Sequence, residues 1–215
     1  MLGTIQKFME EGGPFMYIID AVAVIALAIA IERFVFLFFR FNINANAFMA
    51  QIQKLVMANN IDRAIKLCNA AGNAALPRVI KAGLTRANKG EVEIANAIEE
   101  SSLEVLPQIQ KRTNSLVTLA QIATYLGLLG TIQGMIQAFD AVATAAPEQK
   151  ATALASAISI AMNTTMLGLI VAVPTMALHL ILTNITQKII QEIDQHSVKL
   201  QNLLVSRGKG ATLEK

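Results

Sequence analysis

Thr131, Thr164 and Thr165 are hydroxyl side chains set into two apolar stretches, GLLGTIQGMIQAF at 127–139 and ISIAMNTTMLGLIVAVP at 158–174. A hydroxyl placed there can bond a backbone carbonyl, of its own helix or a facing one, or offer a lone pair to an ion or water. Proton or sodium transfer through hydrocarbon normally needs a carboxylate as well. Asp20, Glu32 and Asp140 are the acids nearest these stretches, and all three fall towards the ends of apolar segments, away from the threonines. If ions move here, a partner must bring the acid. The chain shows no nucleophile and base pair, metal-ligand cluster or nucleotide loop, so an enzyme, a resident cofactor and a metal site are not expected. Hydroxyls suit a proton and sodium alike, the proton being the favoured ion.

The small residues around the threonines follow helical spacing. At about 100° per residue, Ala120, Ala123, Gly127, Gly130, Thr131, Gly134 and Ala138 form one stripe, while Tyr125, Leu129, Ile132 and Ile136 lie opposite and Gln133 points aside. Ala157, Ala161, Thr164, Thr165, Gly168, Ala172 and Thr175 repeat the arrangement further on. Two readings follow. Small residues let helix backbones approach closely, which makes the stripes a tight interface with threonines satisfied locally. Alternatively, two helices per subunit, with several subunits around an axis, line a narrow passage whose polar groups are hydroxyls.

The elements that carry these stripes are read from hydropathy. The 215 residues are 54% hydrophobic and 15% charged, a balance that leans away from a soluble globule. A helix of roughly 20 apolar residues crosses a bilayer. The expected fold is an all-α membrane protein with three transmembrane helices and long helices extending into the cytoplasm. Its segments are an amphipathic periplasmic stretch at 1–14, spans at 15–39, 113–143 and 154–183, a helical loop at 40–112, a short loop at 144–153, and a C-terminal helix and tail at 184–215. The first span lacks the basic start and short apolar core of a cleaved signal peptide.

Ten lysines and arginines, from Arg40 to Arg112, fall between the first two spans, against Lys7 before them and Lys150 between the second and third. Positive charge collects in cytoplasmic loops, so the N-terminus is expected outside and the large loop and C-terminus inside. A net charge of +3, scattered as it is, gives no case for nucleic acid. The loop reads as amphipathic helices, AFMAQIQKLVMA, IDRAIKLCNAA and LPRVIKAGLTRA. From Glu91 one long helix is expected to enter the membrane with a kink at Pro107, and the tail RGKGATLEK reads as frayed. Cys68 is expected to pack. Glu99, Glu100 and Glu104 read as solvated helix face or as contacts to an adjacent subunit. Phe34, Phe36, Phe38, Phe39 and Phe41 read as a lipid-facing collar. Glu32 and Arg33 read as inner-boundary contacts, and His179 as an interfacial hydrogen-bonding group or a proton relay at the exit.

The segments ATYLGLLGTIQGMIQAF, ISIAMNTTMLGLIVAVP and ERFVFLF resemble the MotA/TolQ/ExbB group of ion-driven motor subunits, and the order of spans extends the resemblance over almost the whole chain. The resemblance implies a homopentamer whose second and third helices enclose a pore. Inside it would sit single transmembrane helices from a dimer of an ExbD/TolR/MotB-like partner, which supplies the ion-binding Asp. It implies further that Thr131 and Thr165, with Thr164 beside them, line the ion path. Gly127, Gly130, Gly134, Ala161, Gly168 and Ala172 would then give the pore wall its clearance. The proton motive force in a bacterial inner membrane would drive an envelope process such as TonB- or Tol-dependent transport, with gliding or other motility as the alternative. A non-conducting membrane scaffold is the reading from a different class. Two departures stand out: Thr124 and Tyr125 replace the family's usual Pro-containing APLLGLLGT pattern, and Ile160 stands where transport-energising relatives often carry Glu.

Overall fold

The structure is a computed structural model that describes residues 13–41, 43–72 and 74–213. Among these every regular element is helical: α1 (Pro14–Val35), α2 (Ala45–Met57), α3 (Ile61–Ala70), α4 (Ala75–Thr85), α5 (Glu91–Gln110), α6 (Thr113–Thr144) and α7 (Lys150–Leu213), with a π-helical turn at Phe36–Phe41 after α1. Three stretches are long and apolar enough to cross a membrane, Pro14–Phe38, Glu91–Thr144 and Lys150–Arg207. The 1–14 segment lies outside the described residues apart from Gly13 and Pro14.

Two boundaries differ from expectation. The helix expected to run unbroken from Glu91 into the second span is interrupted, because Lys111 is extended (ψ 134°) and Arg112 is left-handed (φ 61°). A non-glycine residue in that region costs roughly 1–2 kcal/mol, so the break is held by surrounding contacts rather than by chain preference. Pro107 sits inside α5 and is not the site of the break. At the other end, α7 continues through the RGKG that composition marks as frayed, reaching Leu213. It comprises 64 residues, with Pro174 inside it.

The chain divides into two compact units, one of residues up to Glu32 with Arg112–Ile181, the other of Arg33–Lys111 with Leu182–Lys215. In the first, α1 packs small and apolar side chains with α6 and the first part of α7, through a core of Val22, Ala120, Ala123 and Ala172 flanked by Leu119, Leu126 and Val171. Large apolar side chains such as Val24, Leu27, Leu129, Ile132 and Ile170 stay exposed. Met16, Ile19 and Leu116 are buried, but the other buried positions of α6 are small, and large side chains can face outward because hydrocarbon outside removes the drive to bury them.

In the second unit the pattern is that of a protein in water. Each short helix buries one stripe: Met49, Ile52 and Val56 on α2, Ala64 and Cys68 on α3, Val79, Ile80 and Leu84 on α4, Ile94, Ile98 and Val105 on α5. The later part of α7 adds Ile193, Leu200 and Leu204. Asn44 caps α2 by accepting the Ala47 N–H at 3.1 Å. Gly83 has no room for a methyl group, because a Cβ there would lie 2.8 Å from Ile98 Cγ1 and 3.1 Å from Leu200 Cδ2. Glu104 is exposed, as a solvated helix face requires, and Arg78 of the same chain donates to it at 2.8 Å.

Candidate functional site

The site is built where α6 and α7 meet in the first unit. Four glycines set the separation. A Cβ on Gly127 would lie 3.2 Å from the Thr165 Cα, and one on Gly168 would lie 2.7 Å from the Ala123 carbonyl oxygen and 3.1 Å from the Gly127 Cα. One on Gly134 would meet the Ala161 Cβ at 2.5 Å, and one on Gly130 would collide with the Thr164 methyl group. The two backbones are therefore in direct contact, as small residues at both faces permit. Gly127, Gly130 and Gly134 face Ala161, Thr164, Thr165 and Gly168 inside one chain. The stripes expected to face a passage are thus occupied by each other.

Backbone carbonyls order the hydroxyls, one across this contact and one within its own helix. Thr165 Oγ1 donates across the interface to the Gly127 carbonyl at 2.9 Å, while Thr131 Oγ1 donates to the Leu128 carbonyl of its own helix at 2.6 Å. Two hydroxyls therefore sit on adjacent carbonyls of one helical turn, each with its proton committed and lone pairs left over. Thr131 and Thr165 remain half-buried; Thr164 is fully buried, its Oγ1 3.4 Å from the Ile160 carbonyl. Thr175 and Thr124 bond back to Val171 and Ala120 of their own helices at 2.7 and 3.0 Å. Gln133 is exposed, as its position around the helix predicts, and Ala172 is buried in the core cluster.

Acids stay away from this pair of hydroxyls. Asp140 is exposed near the end of α6, Asp20 lies on α1, and Glu32 accepts a hydrogen bond from Arg112 Nη1 at 2.6 Å. Among the described residues no group of three His, Cys, Asp or Glu could hold a metal. The arrangement can ligate or hydrogen-bond, but it holds no group that would take up and release a proton at the threonines.

The remaining expected residues are placed separately. His179 Nδ1 lies 3.0 Å from the Thr113 carbonyl at the first turn of α6. A carbonyl only accepts, so Nδ1 carries a hydrogen and neutral His179 is the Nδ1–H tautomer. Arg33, 3% exposed, belongs to the second unit, where its Nη1 donates to the Gln108 carbonyl at 3.4 Å and its guanidinium lies 5.1 Å from the Phe36 ring centre. Phe34 and Phe38 are exposed and stacked at 5.8 Å, whereas the Phe39 and Phe41 side chains lie outside the described set. Sequence reading missed Arg112 as the partner of Glu32 and Thr113 as the partner of His179. Both pairings join residues far apart in the chain, and the short KRTN run between α5 and α6 was their one local signal.

Residues 71–195 match the MotA/TolQ/ExbB proton channel family. A chain of Methanothermobacter thermautotrophicus, named as a biopolymer transport protein ExbB homolog, is 25% identical over 193 residues, or 90% of this chain and 67% of that one. The structure of C. jejuni MotAB aligns with 91% of this chain and 78% of its own at a TM-score of 0.62 and 16% identity, a likeness of fold.

Proposed function

Because this chain belongs to the MotA/TolQ/ExbB proton channel family, we propose that it is the ion-channel subunit of a rotary motor in a bacterial inner membrane, working with a single-span partner. The observation that carries this reading is the pair of ordered hydroxyls, Thr165 on the Gly127 carbonyl and Thr131 on the Leu128 carbonyl, in a membrane helix pair that has no acid beside them. Such a pair is complete as a ligand set only when another helix brings a carboxylate. The fold likeness to MotAB and the kinship with an ExbB homolog support a MotB- or ExbD-like protein in that role.

In this reading five copies surround a partner dimer, with the N-terminus periplasmic and the second unit in the cytoplasm, where its water-adapted helices belong. The ion is a proton and the work done is TonB- or Tol-type envelope transport, because the helical region between the first two spans is compact. A motility motor is the neighbouring alternative. The burial of Gly127, Gly130, Gly134, Ala161 and Gly168 within one chain favours a second reading, a scaffold in which the stripes serve packing alone.

Proton flux separates the two. The chain is coexpressed with an Asp-bearing single-span partner and reconstituted in liposomes, correctly oriented and unplugged. Wild type should conduct. Thr131→Val and Thr165→Val should abolish coupled flux while the complex stays assembled. An intact wild-type complex without flux would sink the channel reading, and variants that fall apart would favour the scaffold.

A further inference from the structure

Two exposed surfaces of the second unit complement each other and are not mated within one chain. Between α2 and α3 runs an open cleft of about 540 Å³ whose apolar floor is Leu55, Leu67 and Ala70 and whose rim is Lys54, Arg63 and Lys66. None of these three cations forms an ion pair among the described residues. On α5, Val92, Asn96, Glu99 and Leu103 follow one another at helical spacing on a single exposed stripe. Val92 is 71% and Leu103 68% exposed, unusual for large apolar side chains on a helix whose opposite face is well packed. Glu93 and Glu104 are paired with Arg86 and Arg78, but Glu99 and Glu100 hold no ion pair among the described residues.

We propose that the α2/α3 cleft of one copy receives the α5 stripe of a second copy, Val92 and Leu103 seating on the leucine floor and Glu99 and Glu100 meeting Lys54, Arg63 and Lys66. An amphipathic helix laid in an apolar groove with a charged rim is a recurrent recognition mode. The contact joins two different patches, so it is head to tail, and every cleft and stripe is satisfied only when the copies close into a ring. It rests on the ring assembly proposed above, and it extends that assembly from the membrane helices to the water-adapted unit.

Two full-length variants with different tags, Ala70→Cys and Asn96→Cys, are coexpressed and their membranes oxidised, with buried Cys68 left in place. A disulfide-linked dimer carrying both tags should form about tenfold more than with a control pair, Gln187→Cys and Asn96→Cys, and neither variant alone should cross-link, as expected of a heterologous contact. Adding Arg63→Glu and Lys66→Glu to the first chain should lower the yield about tenfold, and Glu99→Lys with Glu100→Lys in the second should restore it. The mass of the detergent-extracted oligomer is measured alongside. No mixed dimer from an oligomer of intact mass overturns this contact and leaves the ring standing. A monomeric wild type overturns both. Cross-linking of Ala70→Cys to a foreign acidic protein in place of the second copy also overturns it.

Discussion

Gly134→Ala tests whether the backbone contact between α6 and α7 holds the first unit together. The added methyl would lie 2.5 Å from the Ala161 Cβ and 2.9 Å from its Cα. Carbon atoms rest at about 3.5–4.0 Å, so the shortfall is roughly 1 Å. Neither neighbouring atom is the tip of a flexible side chain, which leaves separation of the helices as the way out. Overpacking of this kind costs about 1–3 kcal/mol, and alanine's better helix propensity returns about 0.5–1 kcal/mol. Separation by that distance also stretches the 2.9 Å Thr165–Gly127 bond beyond hydrogen-bonding range, a further loss of about 0.6 kcal/mol. The net expectation is a destabilisation of about 0.6–3 kcal/mol. It is read from SDS titration or thermal denaturation of the detergent-solubilised chain. Ala161→Gly in the same chain removes the 2.5 Å contact but not the 2.9 Å one, so it should recover part of the loss. Leu129→Ala, on the exposed face, should be nearly neutral. If Gly134→Ala were as stable as wild type, or more so, and Ala161→Gly gave no added benefit, the close approach of these helices would be refuted.

Two further expectations concern the second unit. His196 is buried, its Nδ1 has no hydrogen-bond partner among the described residues, and desolvation, aided by Lys199 and opposed by Glu192, holds its pKa below the usual 6.5. The unfolded chain therefore takes up the proton first, so stability is intact above about pH 6.5 and falls as the pH drops from there towards the lowered folded value. Equilibrium unfolding of wild type against His196→Leu across this range should show the slope in the former and its loss in the latter. Burial pushes the Cys68 thiol up from 9.0 to about 11, with Lys81 and a backbone hydrogen bond pulling the other way. Its contribution to stability is present below pH 9 and lost as the pH rises from 9 towards 11, and alkylation at pH 8 should require unfolding.

Much of the fold was legible in the chain because hydropathy acts over whole segments. The three apolar stretches, the amphipathic helices of the 40–112 loop and the run of α7 beyond the third span each repeat one physical signal over ten residues or more. The break at Arg112 was not legible. A single left-handed arginine next to Glu32 depends on a partner 80 positions away, whereas Pro107, the obvious local breaker, lies inside a helix. The partner of Glu104 was hidden for the same reason, since Arg78 reaches it from another helix.

For the site, the residue types alone determined that Gly127, Gly130, Gly134, Thr131, Thr164, Thr165 and Gly168 lie on matching stripes, and that no acid lies among them. Helical geometry and a count of side chains suffice for that. What only the tertiary structure decided is where those stripes face. A glycine stripe suits a neighbouring backbone in the same chain and a neighbouring helix in another chain equally well, because the absence of a side chain carries no information about its partner. The distances from Gly134 to Ala161 and from Gly168 to the Ala123 carbonyl assign the glycines to packing within one chain. With them fixed, Thr131 and Thr165 are the half-buried hydroxyls left at the edge of that contact, each on a carbonyl of the same turn of α6.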